Sequence, residues 1–283
     1  MKFIEGVALS NLCDYSFGDV EGIIHNIPGS FCTSINDESF VNFLNNHQKE
    51  YVTIFIGNSR VNQLLPYLKQ YNKKFIIFCN LEDTPILQDT HKLIPENVLS
   101  INSANALAYG EKIFALPYGL QRRFHPQDNR IEILKNFYTS KIDSTNLLYI
   151  NHSIETNLGA RSGINEIFEN YSWSFVRSTR INYISYLEEI KDHKFMICPI
   201  GHAMDCHRNW EVLYMRRVPV MIGNDYLINL FQDYPVLFVN SWEEVTEDLL
   251  LQNISLYDRI QTIDLSNLDI VNMYNNCIKR HYA

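Results

Sequence analysis

Two runs of strand length, VTIFIG (52–57) and KFIIFCN (74–80), flank a segment in which Val61, Leu64, Leu65 and Leu68 recur at helical spacing. A strand that is apolar along its whole length needs cover on both faces, and the helical segment between supplies it. The unit is β-α-β, and it repeats. NVLSIN (97–102) reads as a further strand leading into a helix-like SANALAYGEK, and IFALPYG (113–119) closes the first half. HPQDNRIEILKNFYTSKIDSTN (125–146) is polar and charged, and reads as a crossing between domains. Beyond it come strands in TNLLYINHS, SWSFVRS, KFMICPIG, VPVMIG and PVLFVNS, with helices in RSGINEIFENY, INYISYLEEIKDH and RNWEVLYMR between them. Strands that alternate with helices, instead of with tight turns, predict parallel sheets in a doubly wound α/β arrangement. With 283 residues the chain is long enough for two such units. The expected division is an N-terminal domain at 1–125, a crossing at 126–145, a C-terminal domain at 146–262, and a last helix at 263–283 able to return to the first domain.

Composition removes several classes of function. Hydrophobic residues at 46% and charged residues at 20% exclude disorder for the bulk of the chain. The net charge of −8 opposes a nucleic-acid coat, because a polyanion is repelled unless basic residues gather at one place. No apolar run approaches the roughly 20 residues of a membrane span, and the apolar stretch in MKFIEGVALSN is too short for a secretory signal, so a cytoplasmic location is expected. Six cysteines without a CxxC pair suit reduced, buried thiols.

Ligands of doubly wound sheets bind outside the carboxyl ends of the strands, which places the expected site between the two domains. The segment richest in chemistry there runs from Lys194 to Gly223. Pro199 ends a strand, Gly201 permits an unusual turn, and a helix begins near Asp205 or Cys206. Its N-terminus offers free N–H groups to an anion, and Arg208 adds a planar fork suited to phosphate oxygens. Glu211, one turn on, can accept hydrogen bonds from two neighbouring sugar hydroxyls. Each residue also has a plainer reading: Asp205 as an N-cap, Arg208 with Glu211 as an ion pair, Trp210 and Leu213 as core. His202, Cys206 and His207 lack a second pair of ligands, so no metal is expected.

The segment from Lys194 to Pro219 resembles the exostosin-like glycosyltransferases. Lys194, Phe195, Cys198, Pro199, Gly201, Asp205, His207, Arg208, Trp210, Glu211, Leu213 and Pro219 match the family's signature. Val212 departs from it, and Arg216–Arg217 stand where a glycine usually precedes the last strand. More weakly, LPYGLQRRFHP (116–126) and LLYINHSIETNLGARSGI resemble the stretches that leave the first domain and open the second in many GT-B glycosyltransferases. The resemblance implies a GT-B fold of two Rossmann-like domains, a nucleotide diphosphate sugar as donor and a glycan hydroxyl as acceptor. It implies a donor site of Arg161, Gly201, His202, Asp205, Arg208 and Glu211 in the second domain. It further implies inversion, with Arg208 offsetting charge on the leaving diphosphate and a base from the first domain. Asp14, with Asp19 beside it, is read as following the first strand, and it and Asp83 are the candidates. No Asp-x-Asp motif is found, so neither an obligatory metal nor another cofactor is expected. Other readings are a nucleotide-sugar epimerase and a non-catalytic module that binds glycan or nucleotide.

Overall fold

A computed structural model describes residues 1–17, 31–32, 38–108, 110–121, 129–138 and 144–282. Asp19 and part of LPYGLQRRFHP lie outside them. The chain divides into two compact units, Met1–Phe124 with Leu265–Ala283, and His125–Asp264.

Unit 1 holds a parallel sheet of six strands, β1 (Tyr15–Phe17), β2 (Phe31–Cys32), β3 (Tyr51–Ile56), β4 (Lys74–Cys79), β5 (Val98–Ser103) and β6 (Ile113–Ala115), in the order β2-β1-β3-β4-β5-β6. The central strands are buried on both faces, as their unbroken apolar runs require. The helix Val61–Leu68 lays Val61, Leu64, Leu65 and Leu68 on the sheet. The last helix, Ile270–Tyr282, buries Ile270, Met273, Tyr274 and Cys277, with Tyr274 stacked on Phe78 of β4 at 5.1 Å between ring centres.

Two sequence expectations fail in this unit. Residues Gly6–Ser10 form a helix, so the first strand follows Asp14 instead of preceding it. SANALAYGEK is not helical: Asn105 at φ 55° and Gly110 at φ 141° are left-handed positions that no α-helix accommodates.

Unit 2 holds a parallel sheet of five strands, β7 (Asn146–Ile150), β8 (Ser174–Val176), β9 (His193–Ile197), β10 (Val218–Ile222) and β11 (Leu237–Val239), in the order β11-β10-β9-β7-β8. The two sheets are those of a Rossmann-like α/β protein. From β7 the chain winds outward to β8 and then returns past β7 to β9, so the winding reverses between β7 and β9. At such a reversal the loops leaving neighbouring strands diverge and open a crevice at the carboxyl ends.

The stretch read as a crossing contains the helix Arg130–Tyr138, which belongs to unit 2 and holds the Arg130 guanidinium 5.1 Å from the centre of the Tyr183 ring. The helix expected over 161–171 is two short ones, Leu158–Arg161 and Ile164–Phe168, parted at Gly163 with φ 83°. At the departure from the exostosin signature, Arg216 takes the left-handed conformation itself, φ 55°. Its Nη1 donates to the carbonyls of Ile260, Gln261 and Ile263, contacts that offset the strain a glycine would avoid. Among the described residues no helix is long and apolar enough to cross a membrane.

One close approach locks unit 1. Gly119 has φ 75°, and a Cβ there would lie 2.4 Å from the Ile4 carbonyl oxygen, which accepts the Leu120 N–H at 2.8 Å. Gly119→Ala meets both backbone strain and this contact, and is expected to cost at least about 1–3 kcal/mol, read as a lowered midpoint in chemical denaturation.

Candidate functional site

The crevice of unit 2 is built by the loops after β7 and β9. Arg161 ties them together. Its side chain is buried, with Nε donating to Ile200 O at 2.8 Å, Nη1 to Ser153 O at 2.9 Å and Nη2 to Pro199 O at 3.3 Å. Burial, then the nearby Arg208, lower its pKa. Gly201 sits against this fork, where a Cβ would lie 3.1 Å from Arg161 Nη2 and 3.1 Å from Cys206 Sγ. Its carbonyl accepts from Asn157 Nδ2 at 2.8 Å. Arg161 is thus committed to backbone carbonyls.

The helix His207–Tyr214 starts at Cys206, whose side chain makes no capping hydrogen bond. Asp205, fully buried, accepts from Trp210 Nε1 at 2.9 and 2.8 Å and from Asn209 Nδ2 at 3.2 Å. Its carboxylate holds the first turn of the helix onto the indole that stacks on Phe231 at 4.6 Å. Glu211 is buried too, with Oε1 accepting from Tyr183 at 3.0 Å and Oε2 from Tyr186 at 3.1 Å. Burial first, and then the Glu211 charge, raise the pKa of both tyrosines, so both stay protonated as donors. The ion-pair reading of Arg208 with Glu211 gives way to this arrangement.

Arg208 has no such set of partners at its Nε. Its Nε is buried and has no hydrogen-bond partner. Burial opposes its charge, but Tyr186, Cys198, Cys206 and Glu211 outweigh that and raise its pKa. The Cys198 thiol beside it is pushed up to about 12 by burial and stays neutral. That nitrogen therefore lacks the acceptor that a buried donor requires.

No sequence motif assigns a role to His152, which follows β7. Its Nε2 lies 3.3 Å from the Arg161 carbonyl, and its Nδ1 is buried without a partner. No motif assigns a role to Tyr183 or Tyr186 either. Nothing in their local pattern distinguishes them from helix-face aromatics. His202 stands exposed on the hinge. Among the described residues no group of His, Cys, Asp and Glu is placed to hold a metal ion.

The two carboxylates of unit 1 occupy different ends of its sheet. Asp14 precedes β1 and lies toward the amino ends, since Thr53 of β3 donates to its Oδ2 from N at 3.0 Å and from Oγ1 at 2.8 Å. Lys49 adds an ion pair at 2.6 Å. Burial raises the Asp14 pKa, but Lys49 and Thr53 outweigh it and bring it below the ordinary range, which weakens it as a base. Asp83 is exposed beyond the carboxyl end of β4 and accepts from Tyr118 OH at 3.1 Å. The neighbouring Glu82 is bound to Ser59 N at 2.6 Å and Ser59 Oγ at 3.0 Å, above Gly57, where a Cβ would lie 2.3 Å from its Oε1.

No protein-family profile and no curated protein matches the chain. Among solved structures it is similar to the N-terminal domain of Candida albicans trehalose-6-phosphate phosphatase, at 9% identity and a TM-score of 0.45 over 86% of this chain and 73% of that one. A likeness so slight assigns neither fold family nor activity.

Asp205 and Arg208 differ in what their side chains hold. Asp205→Ala leaves the buried Trp210 N–H unpaired and is expected to cost about 1–3 kcal/mol in chemical denaturation. Arg208→Ala, which breaks no hydrogen bond at Nε, is expected to leave the midpoint near that of the parent.

Proposed function

We propose that the protein is a GT-B glycosyltransferase of the exostosin-like kind. It moves a sugar from a nucleotide diphosphate sugar to a glycan hydroxyl, with inversion at the anomeric carbon. The observation that carries this reading is the buried, unpartnered Nε of Arg208 beside the N-terminus of the helix His207–Tyr214, at the reversal of a doubly wound sheet. A diphosphate supplies the acceptor that this donor lacks, next to the positive end of the helix. The motif residues Gly201, Asp205, Arg208 and Glu211 then have separate tasks. Gly201 makes room for the Arg161 fork, Asp205 fastens the helix, Glu211 anchors two tyrosine hydroxyls, and Arg208 meets the ligand.

In the transfer, the acceptor oxygen attacks the anomeric carbon as the bond from that carbon to the distal phosphate oxygen breaks. The electron pair of that bond stays on the phosphate, and the acceptor proton passes to a base. Arg208 stabilises the charge that grows on the leaving diphosphate. Asp83 is the better candidate for the base, because Asp14 is engaged by Lys49 and Thr53. With Asp205 bound to Trp210 and Asn209, leaving-group departure is assigned to Arg208 and the helix N-terminus, without an obligatory metal.

Incubation with uridine and guanosine diphosphate sugars and a glycan acceptor tests the reading. Transfer or slow donor hydrolysis supports it; an isomerised donor points to an epimerase, and binding without turnover to a non-catalytic module. Arg208→Ala is expected to lower transfer by about 10²–10³ while the fold is retained. Arg208→Lys, lacking a planar fork, should recover only part of that loss. Transfer should also persist in excess EDTA, whereas complete loss restored by one specific metal would remove the metal-free assignment.

A further inference from the structure

His152, in the loop after β7, and Arg208, in the first turn of the helix that follows β9, belong to neighbouring strands' connections in one sheet, and each has a buried nitrogen with no hydrogen-bond partner. The tautomer of His152 follows from its other nitrogen. The Arg161 carbonyl at 3.3 Å from Nε2 can only accept, so the ring proton is on Nε2 and Nδ1 presents a bare lone pair. Arg208 Nε lacks an acceptor, while His152 Nδ1 lacks a donor. An unprotonated oxyanion satisfies the first and repels the second. A proton between ligand oxygen and Nδ1 satisfies both.

We propose that His152 is a second ligand-binding residue of the Arg208 site, and that an anionic ligand binds there together with one proton held between its oxygen and Nδ1. The inference rests on the reading of this crevice as a diphosphate site. The charged groups facing the ring are Arg208 from the helix His207–Tyr214, Arg161 from Leu158–Arg161, and Glu166 from Ile164–Phe168. Without ligand, burial and then Arg208 bring the His152 pKa down to about 4, so the ring is neutral at physiological pH. A bound diphosphate outweighs the Arg208 charge and gives Nδ1–H an acceptor, and both effects raise that pKa. The balance is one proton from solvent for each ligand bound, whichever of the two atoms carries it, and no covalent bond to carbon or phosphorus changes. Affinity must then rise as pH falls, by up to about tenfold per pH unit for a full proton.

Calorimetric titration of the full chain with UDP, GDP and inorganic pyrophosphate, in buffers of different ionisation enthalpy, counts the protons directly. The expected result is net proton uptake near neutral pH and an affinity that strengthens between about pH 8 and about pH 6. In His152→Asn the amide nitrogen takes the place of Nδ1 and donates without titrating. That variant should bind with less uptake than the parent and a flatter pH profile. Binding to the parent without proton uptake, or equal uptake by parent and variant, overturns the role of His152 and leaves the diphosphate reading standing. Failure of all three ligands to bind overturns both.

Discussion

The site of unit 2 depends on one buried guanidinium. Where parallel strands end, the loops that leave them carry carbonyls with no neighbour to pair with, and buried carbonyls left so are costly. Arg161 supplies donors to three of them, Ser153 from the loop after β7 and Pro199 and Ile200 from the loop after β9. A planar fork does this with one side chain and fixes the two loops relative to each other. The space it needs explains Gly201. Arg208 comes seven residues after Gly201 in the same hinge, and its position is set by this clamp.

The hinge is built from buried charge in place of apolar packing. Asp205 on Trp210, Glu211 under two tyrosines and Arg161 on its carbonyls are each satisfied by groups that a hydrophobic core would not contain. Such networks add little net stability, because desolvation offsets much of the attraction, but a half-satisfied one is costly. They favour one arrangement strongly over its neighbours. In this setting Arg208 Nε and His152 Nδ1 stand out as buried nitrogens without a partner.

Periodicity made most strands and the larger helices legible, because a run such as KFIIFC has one stable environment, between two layers. It misled where backbone conformation overrode side-chain pattern. SANALAYGEK has helix-forming residues, yet Asn105 and Gly110 turn left-handed, and the apolar start of the chain coils at Gly6–Ser10 before β1. That shift moved Asp14 to the other end of the sheet. In the hinge, residue types revealed that charge was concentrated there but not how it was partitioned. Whether Arg161 or Arg208 has donors to spare depends on which carbonyls the loops present, a tertiary fact. His152 was hidden for the same reason, since a lone histidine acquires meaning only from what faces each ring nitrogen.

The path of the chain through unit 1 also bears on how the protein is made. Lys2 donates from its backbone to Asp269 at 2.6 Å, Ile270 N–H returns to Lys2 O at 2.9 Å, and the helix Ile270–Tyr282 lies on the sheet begun by the N-terminal half. Unit 2 is therefore an insertion into a unit whose two pieces bracket it in sequence. On the ribosome every residue of unit 2 has been synthesised while Tyr274 has yet to cover Phe78. The inserted unit can complete its core during synthesis, whereas its host must keep part of an apolar sheet uncovered until the helix Ile270–Tyr282 has emerged. The exposure of that sheet to chaperones or to aggregation therefore lasts at least as long as the inserted unit takes to emerge.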